Sequence, residues 1–156
     1  MNGFSLSTWI TVVIGRRLLS VEALIHEFKS VAHRFPQEIS FHFEGRGPGR
    51  FFCDSDGASI GLSMDPLIGC DMQEYGAQVI KSMSDDACFA DLINKTLTSA
   101  TLVKSSFQDR VLGVGFSFDS EKNFFVLNLG DELFICSSIP SDVVVSERLS
   151  FIAVGD

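Results

Sequence analysis

Apolar and polar residues alternate along several short stretches of the chain, and this period of two predicts β-strands. The clearest case is Ile39, Phe41 and Phe43, which alternate with the polar residues Ser40 and His42. Turn-forming residues separate most of these stretches, which indicates a meander of hairpins. The same alternation occurs at 39–43 and 112–118, and the segment 8–14 is predicted as a strand because it is rich in β-branched residues. Further strands are predicted at 50–53, 58–64, 124–129, 132–137, 143–145 and 151–154. A C-terminal helix is the alternative for the last two segments.

Three further stretches carry apolar residues at the 3.6-residue spacing of an amphipathic helix. The first starts at Ser20, a favourable N-cap, and ends at Pro36. The second covers 72–83 after Asp71, and the third begins at Ser84 with two acidic residues in its first turn, where the helix dipole favours them. The apolar stripe of the first helix consists of Val21, Leu24, Ile25, Phe28, Val31, Ala32 and Phe35.

The order of these elements predicts an α+β fold. Helices grouped between blocks of hairpins favour one domain over residues 1–156, with a mostly antiparallel sheet and about three helices packed on one face. A doubly wound parallel sheet would need regular alternation of strands and helices, which the pattern lacks. The chain has 156 residues, 46% of them hydrophobic, which is enough to build a core without metal or disulfide staples.

The cysteines and the apolar segments bear on the compartment. Cys53, Cys70, Cys88 and Cys136 show no short paired spacing, which argues against zinc and redox sites and favours free thiols in a reducing environment. The early apolar run from Trp9 to Ile14 is too short for a membrane span and lacks the polarity of a signal peptide. We therefore expect a cytoplasmic protein with no cofactor or metal and no membrane partner.

The charge distribution limits the kinds of partner. The net charge is −8, which argues against nucleic-acid binding. Residues 1–52 carry a net charge of +2, whereas 53–100 and 101–156 carry −6 and −4. If acidic turn residues converge in the fold, they form a negative patch for a basic protein partner. The candidates for that patch are Asp54, Asp56, Asp65, Asp71, Glu74, Asp85, Asp86, Asp119, Glu121, Asp131 and Glu132.

Two residues are candidates for a nucleophile. Ser59 stands in a G-x-S-x-G pattern over 57–61, but all three histidines precede it and its flanks are strand-like, so a closely packed strand is the favoured interpretation. Cys70 precedes a predicted helix, whose N-terminus would favour the thiolate, but no histidine partner can be assigned to it from the sequence. We therefore predict a protein that is not an enzyme, with an unrecognised site as an alternative.

In size, acidity, α+β pattern and lack of catalytic residues, the chain resembles the immunity proteins of bacterial toxin–immunity systems, including those of contact-dependent growth inhibition. The resemblance implies a cytoplasmic protein that neutralises one cognate, often basic, toxin domain in a tight stoichiometric complex, with a monomer favoured. No family motif matches, so no functional residue is carried over. A small acidic secretion chaperone is the other alternative, and it would form a homodimer that binds an extended segment.

Overall fold

The computed structural model describes residues 3–154, whose backbone forms two β-sheets and two α-helices. The first sheet contains β1 (Leu18–Phe28), β2 (Val31–Ala32), β3 (Glu38–Phe43), β4 (Gly49–Cys53), β5 (Ile60–Ser63), β6 (Cys70–Asp71) and β7 (Ala77–Ser82). The second sheet contains β8 (Leu97–Ser105), β9 (Arg110–Phe118), β10 (Asn123–Leu129), β11 (Glu132–Cys136) and β12 (Leu149–Val154). The helices are α1 (Gly3–Val13) and α2 (Ser141–Glu147), and single 3-10 turns lie at Gln73–Tyr75 and Ala90–Leu92.

The order of strands places sequence neighbours side by side in most of both sheets. The first sheet runs β5-β4-β3-β1-β7-β6, with β2 paired to the far end of β1, and the second runs β11-β10-β9-β8-β12. Every strand pair of the described chain is antiparallel. The predicted α+β class with mostly antiparallel strands is therefore confirmed, and β3, β4 and β5 form the predicted meander.

Phenylalanine side chains fill the space between the two sheets. Phe41 is at the centre: its ring centroid lies 5.1 Å from that of Phe124 and 5.7 Å from those of Phe51 and Phe116. All four rings are fully buried, and most of the pairs are tilted or edge-on, as aromatic rings prefer. The alternation that predicted β3 and β9 thus corresponds to one face directed into this core.

The helix predicted over 20–36 is wrong, because most of this segment is the long strand β1. Its apolar residues fit both periods, and Val21, Ala23 and Ile25 form the alternating buried face. β1 is a central strand that pairs with β3 on one side and β7 on the other. A strand buried on both sides reads as a nearly continuous apolar run, which periodicity alone does not separate from a helix.

The strand predicted over 8–14 is also wrong, because α1 occupies most of it. Leu6, Trp9, Ile10 and Val13 have the spacing of a helical face, and all four side chains are buried. The β-branched residues that suggested a strand have only a weak local preference, which this tertiary burial overrides. α1 contacts β5 and β12, the edge strands of the two sheets, and so covers one side of the molecule.

The other predicted helices also give way to strands. The segment 72–83 contains a 3-10 turn and β7, since Gly76 at φ +98° interrupts any helix and β7 completes the pairing of β1. The segment 84–100 contains a turn and the start of β8, with Asn94 in a left-handed conformation between them. Conversely, the segment 143–145, predicted as a strand with a helix as the alternative, lies in the helix α2, whereas 151–154 is a strand as predicted.

The residues between 3 and 154 thus hold two α-helices rather than three, and these do not share one sheet face. The helix α1 lies across sheet edges, whereas α2 belongs to the connection from β11 to β12. Neither helix of the described segment is long and apolar enough to cross a membrane.

Candidate partner-binding groove

Three clefts meet along β11 and form one continuous depression, which we call the β11 groove. Their volumes are about 320, 310 and 650 Å³. The first two clefts share Phe35 and Leu133, and the second and third share Asp86 and Ile135. One wall is β11, and the facing wall is built from segments 33–38 and 83–92, so both sheets contribute to the groove.

The hairpin between β10 and β11 sets the position of one end of the groove. Its two-residue turn, Gly130 and Asp131, has φ values of +62° and +66°, as a tight hairpin of this type requires. The Asp131 amide donates to Asn128 Oδ1 at 2.9 Å, and Asn128 Nδ2 donates to the Ser59 carbonyl at 2.9 Å. Because Asn128 is buried, these bonds fix the acidic turn to the first sheet.

The outer side of β11 presents unpaired backbone groups to the groove. In the pairing with β10, the hairpin closes at Leu129 and Glu132, so alternate residues of β11 direct their peptide groups toward β10. The peptide groups of Leu133 and Ile135 therefore point the other way. Within the described chain, β11 pairs with β10 alone, which leaves these donors and acceptors available to an extended segment of a partner.

Carboxylates outnumber cations along the groove. Arg34 and Lys122 are its basic residues, and Lys122 pairs with one of the carboxylates, Asp91, at 2.5 Å. A second carboxylate, Glu38, binds Arg50 at 2.8 Å. The full acidic set lining the groove is Glu38, Asp86, Asp91, Glu121, Asp131 and Glu132. The last two and Glu121 have no ion-pair partner among residues 3–154, so the groove is negative at both ends.

The thiols of the groove are affected by this charge. The pKa of Cys53 is raised to about 11, mainly by burial and in smaller part by the carboxylates of Asp131 and Glu132. Burial also raises the pKa of Cys88, with Asp86 as the second cause. The pKa of Cys136 is raised to about 11, again mainly by burial. These thiols are therefore neutral and unsuited to nucleophilic chemistry at physiological pH.

The Phe35 side chain stands in the middle of the groove. It lies in the connection from β2 to β3, and its ring centroid is 6.0 Å from that of Phe134 on β11. The Arg34 guanidinium lies 5.2 Å from the centre of the same ring. The rings of Phe35 and Phe134 and the side chain of Ile135, all half-buried, give the groove an apolar centre between acidic ends.

The predicted acidic patch divides between this groove and other turns. Four of its eleven members line the groove: Asp86, Glu121, Asp131 and Glu132. Two more, Asp85 and Asp119, lie in the same turns as groove residues but do not line it. The other five lie elsewhere: Asp54 and Asp56 between β4 and β5, Asp65 after β5, Asp71 in β6 and Glu74 in the 3-10 turn that follows.

Several acidic residues outside the groove serve local geometry. The Asp71 carboxylate accepts from the Gln73 amide at 2.8 Å, and the Asp65 amide donates to Ser63 Oγ at 3.1 Å. The Asp54 carboxylate accepts from the amide of Ser55 at 2.8 Å. Such bonds are the usual reason for Asp and Ser in turns.

Sequence reasoning missed Phe35, Glu38 and Asp91 as groove residues. Phe35 was predicted to lie in the apolar stripe of one helix and Asp91 in another helix, and neither helix forms. Glu38 is the first residue of β3. One signal for Phe35 was available in the sequence, which is its position before Pro36. The residue before a proline disfavours the helical conformation, and this favours a connection over a helix at Phe35.

The Ser59 hydroxyl is engaged in a turn. Its Oγ donates to Asp56 Oδ2 at 2.5 Å, and the amides of Ala58 and Ser59 donate to Asp56 Oδ1 at 2.9 and 2.8 Å. These three bonds, together with the smaller effect of Arg110 at 3.3 Å from the carboxylate, lower the pKa of Asp56 to about 2. Strand β5 follows at Ile60, so the strand-to-helix elbow of a nucleophilic serine is absent from this described segment.

Cys70 lies on β6 and its thiol is exposed. A 3-10 turn and β7 follow it, so this described segment lacks the helix that was expected to activate the thiol. All four cysteines, which lie within the described residues, are free thiols. Residues 3–154 contain no group of three or more His, Cys, Asp or Glu side chains able to hold a metal ion.

The β11 groove is the feature that combines a cavity, a concentration of unpaired charge and open backbone groups. The function of this groove is therefore inferred from the geometry of the chain itself. Compared with protein-family models, with curated proteins and with solved structures, the chain matches none.

Proposed function

We propose that the protein is a non-catalytic inhibitor that neutralises one basic protein partner, a toxin domain, by binding it in the β11 groove as an immunity protein of the cytoplasm. The observation that supports this most directly is the set of unpaired carboxylates, Glu121, Asp131 and Glu132, at the two ends of one continuous groove. A basic surface that enters the groove gains attraction at both ends and is aligned along β11.

The composition of the groove supports a protein partner over a small molecule. Interfaces between proteins combine an apolar centre with a polar rim and are enriched in aromatic anchors. Phe35, Phe134 and Ile135 form such a centre, and the acidic residues form the rim. The groove is also longer than a compact ligand pocket, because three clefts are joined along the whole of β11.

The groove is better suited to occlusion of a partner than to covalent chemistry. Within the described chain, Ser59 is held in a turn and the thiols of Cys53 and Cys136 have pKa values of about 11. The acidic groove instead provides what an occluding inhibitor needs, which is fast association with a basic surface and strong retention.

The experiment is co-purification with the product of the adjacent gene at low and high salt, followed by measurement of association rates. We expect a complex with one partner molecule for each chain, with an association rate that falls as salt is added. The double variant Asp131→Asn, Glu132→Gln should lower that rate at low salt at least roughly ten-fold. A matched control removes the same charge outside the groove, through Asp71→Asn and Glu74→Gln, and should change the rate less than about two-fold.

The proposal fails if the two double variants slow association equally, because the groove would then have no special role. It also fails if the complex forms but leaves the partner's toxicity to growing cells unchanged. Circular dichroism of each variant shows whether the fold is intact.

A further inference from the structure

The strand β12 is an exposed edge of the second sheet. It pairs with β8 alone among the described strands, and the side chains of Ser150, Phe151, Ile152 and Ala153 are all exposed. Phe151 and Ile152 are large apolar residues with 48% and 46% of their surface accessible. Leu149–Val154 also contains no charged residue. Natural proteins usually protect such an edge with charge, proline or a covering segment. This strand has neither charge nor proline, and although α1 contacts it, the side chains from Ser150 to Ala153 remain exposed.

The pairing with β8 determines which backbone groups of β12 are free. The Ser106 amide donates to the Arg148 carbonyl at 3.2 Å, which makes Leu149 and Ser105 a pair without direct hydrogen bonds. The register is regular from there, so Ser150 and Ile152 exchange hydrogen bonds with β8. The peptide groups of the alternate residues Leu149, Phe151 and Ala153 consequently point away from the sheet.

We infer that β12 pairs with β12 of a second copy of this chain, antiparallel and centred on Phe151. The three outward residues are evenly spaced about Phe151, so a two-fold axis there matches Phe151 with its copy and Leu149 with Ala153 of the other copy. Each of these pairs exchanges two hydrogen bonds. The same strand on both subunits is therefore self-complementary, as a two-fold symmetric interface requires.

The charge of the chain favours this strand as the contact between copies. With a net charge of −8, two copies of the chain repel each other on average. The uncharged β12 avoids that repulsion. A partner attracted by charge, by contrast, is expected at the acidic β11 groove, and nothing in β12 would attract it.

The side chains of the pair also complement each other. The ring of Phe151 lies 6.4 Å from that of Phe125, on the outer face of the second sheet. In the proposed pair, the two Phe151 side chains lie side by side on one face, since directly opposite residues are about 5.5 Å apart at their Cα atoms. Four aromatic rings then form a row across the interface and cover apolar surface that is open in the single chain.

The dimer is independent of the proposed function. β12 and β11 are the two opposite edges of the second sheet, so pairing through β12 leaves both grooves accessible. The inference replaces the monomer that the sequence favoured.

Sedimentation of the full chain from micromolar to roughly millimolar concentration tests the dimer. We expect wild-type protein to sediment at twice the 17.1 kDa of one chain at the upper end of this range. Phe151→Lys places two like charges on the axis and should weaken association at least roughly ten-fold. Ile68→Lys makes the same change at another residue, 72% exposed and outside β12, and should leave association unchanged.

Amide hydrogen exchange of the wild-type chain tests the register without any variant. The amides of Leu149, Phe151 and Ala153 should exchange at least roughly ten-fold more slowly at high concentration, whereas those of Ser150 and Ile152, already bonded to β8, should change little. A wild-type chain that stays monomeric throughout the range overturns the inference. So does a dimer that Phe151→Lys leaves intact, or one whose protection lacks this alternation.

Discussion

Phe35 and Phe134 come from opposite walls of the β11 groove, and their rings lie 6.0 Å apart in its middle. Phe35 belongs to the connection between β2 and β3, whereas Phe134 belongs to the edge strand β11. Phe35 lines two of the three clefts. Its ring therefore lies between the two acidic ends of the groove. A partner that spans the groove must contact this ring.

Truncation of that ring is expected to weaken partner binding. Phe35→Ala removes the aromatic surface at the centre of the groove and should lower affinity for the partner at least roughly ten-fold, as loss of a central aromatic anchor does. Stability should fall by only about 1 kcal/mol, because the ring is partly exposed. Calorimetric titration measures the affinity and thermal unfolding measures the stability. Unchanged or tighter binding would show that Phe35 is not an anchor.

The Asp56 turn is expected to make stability depend on pH. The pKa of Asp56 is lowered to about 2 in the folded protein, first by the hydrogen bond from the Ser59 hydroxyl, against about 3.9 in an unfolded chain. This carboxylate therefore stabilises the fold above about pH 4, and the contribution is lost as the pH falls toward 2. Ser59→Ala should raise the Asp56 pKa and flatten this part of the curve.

Urea unfolding of wild-type protein and Ser59→Ala between pH 2 and neutrality measures the difference, and NMR titration gives the Asp56 pKa directly. Parallel curves for the two proteins would contradict the assigned cause. Asp65→Asn is a suitable control, because it changes a carboxylate in the turn after β5 and leaves the Asp56 hydrogen bonds in place.

Close packing of α1 on β4 predicts a glycine requirement. A Cβ atom added at Gly49 would overlap the Trp9 ring, whereas one added at Gly47 would meet nothing within 4 Å. Gly49→Ala should therefore reduce the free energy of unfolding by about 1–3 kcal/mol, the usual cost of overpacking. Gly47→Ala should change it by less than about 0.5 kcal/mol. Chemical denaturation followed by circular dichroism compares the two, and equal effects would contradict the packing of α1.

The thiols are expected to differ in reactivity. Cys70 is exposed, whereas the pKa values of Cys53 and Cys136 are about 11. At pH 8 only about one in a thousand of the latter two is in the reactive thiolate form. Alkylation followed by mass spectrometry should therefore modify Cys70 first. Earlier modification of Cys53 would show that its surroundings are less negative or less buried than described.

The sequence predicted the strands in which large apolar residues alternate with small or polar ones. In β3 and β9, alternation of Phe residues with small or polar ones has no helical interpretation, and both were identified correctly. β1 was misassigned because Leu24 is also buried, on the side away from Val21, Ala23 and Ile25. A large apolar residue on the second face removes the alternation from the sequence, so only the pairing with β3 and β7 reveals the strand.

The groove was predictable only in part. Asp131 and Glu132 were found because turn residues are recognisable in sequence, and Asp86 and Glu121 for the same reason. Their meeting with Glu38 and Asp91 depends on how the two sheets face each other, which no local pattern encodes. The exposure of β12 was not predictable for the same reason. Its apolar sequence is typical of a buried strand, and only the arrangement of the strands places it at an edge.

The way Trp9 is buried makes the chain its own optical probe. Trp9 is the single tryptophan of the sequence, and 3% of its surface is accessible. Its indole Nε1 has no hydrogen-bond partner within residues 3–154, and its ring lies edge-on to Phe43 and Phe51. An indole in such dry, apolar surroundings emits at short wavelength, and emission shifts to the red when water reaches it. Fluorescence therefore reports the detachment of α1, while a partner in the β11 groove leaves the signal unchanged.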